Sequence, residues 1–141
     1  MVTRVLKAFE YGPAAHLDQL AAVVDGVCTF RPRGEASLVE LVDFVRATIA
    51  YARGHRFRKL LIDTTGLSGV PIPTLVDRFL VAEEWASEAD GTVVVALVVE
   101  PRYIHPKKFG VKVARDLGLI IDVHTSEAEA LDWLASSSKG D

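Results

Sequence analysis

Carboxylate and hydroxyl side chains follow a run of large apolar residues in the middle of the chain. The apolar residues 60–62 are followed directly by Asp63, Thr64 and Thr65, and Ser68 comes three residues after Thr65. An aspartate can serve as a base, a ligand or a phosphoacceptor, and threonine and serine hydroxyls can be phosphorylated. In α/β sheets, ligands bind beyond the carboxyl ends of the strands. We therefore expect the functional residues in this loop.

The next helix adds a possible anion site. Thr74 has the position of an N-cap, and Asp77 stands three residues later, where a capping box usually has Glu or Gln. Free amides and the positive end of the helix dipole favour an anion at such a terminus. Arg78 adds a positive charge one turn further along. These residues predict weak binding of a phosphoryl group, a carboxylate or a partner's acidic side chain.

A second polar loop follows the apolar residues 92–99. It contains Arg102, His105, Lys107 and Lys108. Because the carboxyl ends of neighbouring parallel strands meet at one edge of a sheet, we expect this loop to adjoin the first one.

No complete catalytic constellation accompanies these loops. The chain lacks the G-x-G-x-x-G and G-x-x-x-x-G-K-[ST] patterns of dinucleotide and phosphate sites. A receiver domain would use Asp63, but it needs an acidic pair near the first strand and a lysine after the last, where residues 122–125 read Asp-Val-His-Thr. The alternative for Asp63 is structural, as an acceptor for amides of the following loop. We therefore expect no enzymatic activity.

The histidines and the cysteine predict no metal site and no cofactor. The four histidines form no i, i+4 pair, and Cys28, the single cysteine, lies in an apolar run typical of a buried strand. One cysteine without a disulfide partner fits a reducing cytoplasm. A chain of 141 residues, half of them apolar, with a net charge of −3, is typical of one soluble domain without affinity for nucleic acid. We also expect no membrane segment, because no apolar run approaches about 18 residues.

Periodicity and capping patterns predict alternating strands and helices. The continuous apolar runs are typical of strands covered on both faces, as in a parallel sheet. Pro106 has the position of a first helical residue, and Leu75, Phe79, Ala82 and Ala86 share one face that we expect to be buried. The predicted helices are 37–53, 74–89, 106–117 and 126–135, and the predicted central strands are 58–63 and 92–99.

The amino-terminal part allows two interpretations. Residues 14–24 have helical spacing of apolar residues, whereas Asp25-Gly26 before another apolar run indicates a hairpin between strands. We favour the hairpin, because the sheet needs further strands. Residues 1–13 are expected to form an arm or an edge strand, residues 14–135 a single domain, and residues 136–141 a polar tail.

This order of elements, together with the segment Leu-Leu-Ile-Asp-Thr-Thr-Gly-Leu at 60–67, resembles the STAS domain, in its SpoIIAA-like branch of anti-sigma factor antagonists. The resemblance implies a central mixed sheet of about five strands packed against about four helices. It also implies a regulatory role in which a serine at the start of the next helix is phosphorylated. At that place the chain has residues 71–74, Pro-Ile-Pro-Thr, which leaves Thr74, Thr65 and Ser68 as candidates for phosphorylation.

Two functions follow as expectations. The first is a non-enzymatic module that binds a protein partner through residues 64–78 and the 101–108 loop; a homodimer is one form of such an interaction. The alternative is a small-ligand or lipid-binding domain, similar to CRAL-TRIO domains, with a pocket at the carboxyl ends of the central strands.

Overall fold

The computed structural model describes residues 15–137, and it shows an α/β fold built on a five-stranded mixed sheet. The predicted arm at residues 1–13 and the end of the predicted tail lie outside the described residues. Within the described part of the chain, no helix has both the length and the apolar character needed to cross a membrane.

The described residues form five α-helices and seven strands. The helices are α1 (Ala15–Leu20), α2 (Leu38–Gly54), α3 (Leu75–Ala89), α4 (Phe109–Asp116) and α5 (Glu127–Ser137). The strands are β1 (Ala22–Val24), β2 (Val27–Phe30), β3 (Gly34–Glu35), β4 (Lys59–Asp63), β5 (Leu67–Ser68), β6 (Val94–Val98) and β7 (Ile121–His124). A short 3-10 turn, Pro101–Tyr103, follows β6.

The main sheet has the strand order β1-β2-β4-β6-β7. Strand β1 is antiparallel to β2, and the other neighbours are parallel. Each parallel connection passes through one helix, because parallel neighbours cannot be joined by a tight turn. Strands β4 and β6 are consequently central, and the loops that leave their carboxyl ends lie side by side.

Both faces of the sheet are covered. Residues from α1 to α4 pack on one face, where Val95 is fully buried, and α5 covers the other through Ala130 and Leu134. Every residue of β6 is buried, and Leu60, Leu61 and Ile62 are buried in β4. This two-sided burial explains why both strands are continuous apolar runs.

The predicted helices and central strands are present, with small shifts at their ends. The helix predicted from Pro106 begins at Phe109 instead, because Lys108 before it has a left-handed backbone (φ 50°) that interrupts the helix. Helix α5 continues to Ser137, two residues beyond its predicted end at residue 135. The predicted capping box of α2 is confirmed: the Ser37 hydroxyl accepts from the Glu40 amide, and the Glu40 carboxylate accepts from the Ser37 amide.

Residues 14–24 combine the two interpretations that their sequence allows. The preference for a hairpin alone is wrong, because α1 occupies Ala15–Leu20 before β1 begins. The hairpin itself is confirmed: β1 pairs with β2, and Asp25 (φ 53°) and Gly26 (φ 80°) both have the positive φ values of a two-residue turn. The helix adds one element to the four predicted.

Gly66 supports the loop after β4, and its replacement by alanine is expected to destabilise the protein. A Cβ atom there would lie 2.9 Å from the Pro32 carbonyl oxygen, which is too close. We expect Gly66→Ala to lower the free energy of unfolding by about 1–3 kcal/mol, the usual cost of overpacking.

Gly54→Ala is the matched control, because a Cβ at the end of α2 would have no neighbour within 4 Å. Helix propensity favours alanine there by up to about 1 kcal/mol. Urea denaturation of both variants checks the expectation, and a Gly66→Ala variant as stable as Gly54→Ala would contradict it.

Candidate functional site

The loop after β4 is organised by the residues that the sequence marks as functional. The Asp63 carboxylate accepts hydrogen bonds from the Thr65 amide (3.0 Å) and the Thr65 hydroxyl (2.7 Å). The Thr64 hydroxyl donates to the Val98 carbonyl oxygen at 2.8 Å. Asp63 thus adopts the structural role expected as the alternative to catalysis, and Thr64 ties the two central strands together.

A second, small sheet holds the far end of this loop. Strand β5 pairs in parallel with β3, so Leu67 lies opposite Gly34 and Ser68 opposite Glu35. The Ser68 carbonyl oxygen accepts from the Ala36 amide at 2.9 Å. Ser68 and Thr65 are both exposed. Both are therefore accessible positions for phosphorylation.

The start of α3 forms the predicted capping box. The Thr74 hydroxyl accepts from the Asp77 amide, and the Asp77 carboxylate accepts from the Thr74 amide, both at 3.0 Å. The Asp77 carboxylate therefore already accepts a hydrogen bond from a backbone amide at the helix end where we expected an external anion. An external anion would have to compete with Asp77 for this amide. A phosphoryl group on Thr74 would lie beside the Asp77 carboxylate. Repulsion between these two negative charges disfavours phosphorylation of Thr74.

The two loops adjoin, as the strand order requires. Arg78 Nη1 donates to the Tyr103 carbonyl oxygen at 3.1 Å, and the Tyr103 hydroxyl donates to the Val70 carbonyl oxygen at 2.6 Å. Tyr103 thereby links the turn after β6 both to α3 and to the segment before it. Neither bond was anticipated from the sequence, because both acceptors are backbone groups that leave no pattern in it.

The basic residues of the second loop have different surroundings. Arg102 is exposed and pairs with Glu100 (3.0 Å), while Lys108 pairs with Asp122 (2.8 Å). His105 Nδ1 accepts from the Lys107 amide at 3.0 Å. Lys107 is exposed and forms no ion pair with any residue in the described part of the chain.

A cavity of about 160 Å³ lies between the sheet and helices α2, α3 and α4. Its walls are mostly apolar and include Val42, Val45 and Leu97. Four of the residues predicted for the site also line it. They are Thr64, Arg78, His105 and Lys108. The other seven, which do not line it, are Asp63, Thr65, Ser68, Thr74, Asp77, Arg102 and Lys107.

Arg78 is the electrostatically unusual residue of this cavity. Its side chain is half-buried, and burial lowers the pKa of its guanidinium without any opposing effect from a nearby carboxylate. The structure shows no ion pair between Arg78 and any residue from 15 to 137, in contrast to Lys108 with Asp122. A partly desolvated charge without a counterion favours an anionic ligand.

Large apolar side chains are exposed around the start of α3. The expectation that Leu75 and Phe79 are buried is wrong, because only the carboxyl-terminal half of α3 packs on the core, through Ala82, Trp85, Ala86 and Ala89. Five exposed residues make up what we call the apolar patch. They are Ile72, Leu75, Val76, Phe79 and Leu80.

The patch is contiguous on the helix. Leu75 and Phe79, and likewise Val76 and Leu80, are i, i+4 neighbours on its surface. Ile72 precedes the N-cap by two residues. The sequence contained a sign of the patch. These two i, i+4 pairs form two apolar rows side by side on the helix, and together they cover a wider arc than the single apolar stripe of a half-buried helix.

The described residues contain no group of three or more His, Cys, Asp or Glu side chains that could hold a metal ion.

A scan against protein-family models and a search of curated proteins both find no match to this chain.

Proposed function

We propose that this chain is a non-enzymatic regulatory module of the cytoplasm that binds a protein partner through the apolar patch and the two loops beside it. The observation that carries the proposal is the exposure of five large apolar side chains in one place. A contiguous exposed apolar patch is a usual mark of an interaction site.

The free energy of apolar burial supports a role for the patch as an interface. Full burial of a large apolar side chain contributes about 1.5–3 kcal/mol. In the free protein the side chains of the patch are only partly buried, so much of this contribution is missing. Burial of the patch by a partner would supply it. Phe79 also supplies the aromatic ring that interface centres favour.

The surroundings of the patch indicate the chemistry of the partner. Arg78 is on the same helix, and the segment with Lys107, which forms no ion pair with a residue from 15 to 137, adjoins it through the bond from Arg78 to the Tyr103 backbone. Positive charge at the rim of an apolar contact selects a partner with acidic residues around an apolar segment. Thr65 and Ser68 lie on the neighbouring loop, where phosphorylation would add negative charge and weaken the attraction of such a partner.

Site-specific photo-crosslinking in cells that produce the protein tests this proposal. The crosslinking residue replaces Val76, which is 67% exposed within the patch. We expect one discrete covalent adduct with another protein, identified by mass spectrometry, and its loss when Leu80→Glu is added to the same chain.

Val39 on α2 is the matched control, because it is also a helical valine and is 69% exposed. The crosslinker at Val39 should give no discrete adduct. Equal labelling at both positions, or no adduct at Val76, would contradict the proposal. An adduct of twice the chain's mass would replace the heterologous partner with a second copy of this chain.

The cavity favours a second candidate function, the binding of a small ligand or lipid at the carboxyl ends of the central strands. Two features support it: the apolar walls and the presence of residues from both loops in the lining. Its volume of about 160 Å³ is below the roughly 300–1,000 Å³ typical of pockets for drug-sized ligands. The size therefore favours a small molecule over a two-chain lipid.

A further inference from the structure

The cavity combines a size with a charge, and together they indicate a class of ligand. An apolar protein cavity of about 150 Å³ stays dry and accommodates benzene. The cavity here is of similar volume, about 160 Å³. The apolar part of the cavity therefore suits a ligand whose body is one ring or a short branched chain without polar groups.

Arg78 provides the polar contact. Of its donors, Nη1 is bonded to the Tyr103 carbonyl oxygen at 3.1 Å, which leaves the rest of the guanidinium fork available for a carboxylate. The other charged residues of the lining are less available, because Lys108 is paired with Asp122 and Glu100 with Arg102. An arginine without a carboxylate partner among residues 15–137 is suited to bind a planar carboxylate with two parallel hydrogen bonds.

We propose that the cavity binds a small monocarboxylic acid with an apolar body of about the size of benzene, its carboxylate on Arg78 and its body between α2, α3 and the sheet. Aromatic acids such as phenylacetate and short branched aliphatic acids belong to this class. The inference rests on the second candidate function, and it adds the charge and the size of the ligand.

Titration of the purified protein with phenylacetate, followed by amide chemical shifts, tests the proposal. Benzyl alcohol serves as a neutral probe of similar size. We expect phenylacetate to shift the amides around the cavity, and to bind at least about 10-fold more tightly than benzyl alcohol because of the charge-assisted hydrogen bonds.

Three variants separate the contributions. Arg78→Met should weaken phenylacetate binding by about 10-fold or more and leave benzyl alcohol binding unchanged. Val42→Phe, which adds volume inside the cavity, should abolish the binding of both probes. Arg56→Met removes an exposed arginine that does not line the cavity, so it should leave both affinities unchanged. Thermal unfolding of each variant shows whether it is folded.

The possible failures are distinguishable. Equal affinity for the two probes, or an equal loss with Arg56→Met and Arg78→Met, overturns the carboxylate assignment and leaves the ligand-binding function standing. Tighter binding of dodecanoate than of phenylacetate overturns the size assignment. If none of the three probes shifts the amides around the cavity, the second candidate function fails as well, and the partner-binding function is unaffected.

Discussion

Leu61→Ala and Val95→Ala are each expected to lower the free energy of unfolding by about 2–4 kcal/mol, through lost apolar burial and the cavity left behind. The two side chains probe opposite faces of the sheet. Leu61 packs under α5 with Ala130 and Leu134, and Val95 belongs to the cluster beneath the helices on the other face. Denaturant unfolding monitored by circular dichroism measures both losses.

Thr64→Ala is the control at the end of the same strand, and its loss should be far smaller. The Thr64 hydroxyl donates one hydrogen bond, to the Val98 carbonyl oxygen. That oxygen also accepts from the Thr64 amide at 2.9 Å, so it stays bonded in the variant. We expect a loss of about 0.5–1.5 kcal/mol. Equal losses at Thr64, Leu61 and Val95 would show that the loop is as structural as the core.

Phe30→Ala is expected to have the largest effect, a loss of about 3–5 kcal/mol. Phe30 is 0% exposed and ends β2, an interior strand of the sheet. Its ring makes edge-to-face contacts with Phe44 (6.1 Å between centroids) and Tyr51 (5.8 Å). Such pairs contribute roughly 0.5–1.5 kcal/mol each beyond the buried area.

Phe79→Ala provides the comparison with the same change of residue in the apolar patch. Phe79 is 42% exposed, and we expect its replacement to change the free energy of unfolding by no more than about 1 kcal/mol. The same variant should weaken the adduct formed from position 76. If Phe79→Ala destabilises the protein as much as Phe30→Ala does, the patch belongs to the core and the proposed interface is lost.

The loop after β4 shows how much of the candidate site is readable from the sequence. An aspartate followed by hydroxyl residues predicts hydrogen bonds within the loop, and Asp63 does bond to Thr65. The partner of Thr64 was not predictable, because the Val98 carbonyl oxygen lies 34 residues away and belongs to the neighbouring strand. Local bonds depend on spacing along the chain, whereas this one depends on the strand order.

The sequence by itself determined the two central strands and the starts of two helices. Continuous apolar runs mark β4 and β6, because a strand covered on both faces has no polar positions. Ser37 with Glu40, and Thr74 with Asp77, determine where α2 and α3 begin, because a capping box is complete within four residues.

Only the tertiary structure decided which residues of α3 are buried and which backbone groups join the two loops. Leu75 has the spacing of a core residue, yet it is exposed, because α3 contacts the core only through its second half. Arg78 meets Tyr103, and the cavity forms beside them, because β4 and β6 are neighbours whose following segments leave the same edge of the sheet. Burial and proximity depend on how helices of fixed length are placed on the sheet, and that placement is a property of the whole chain.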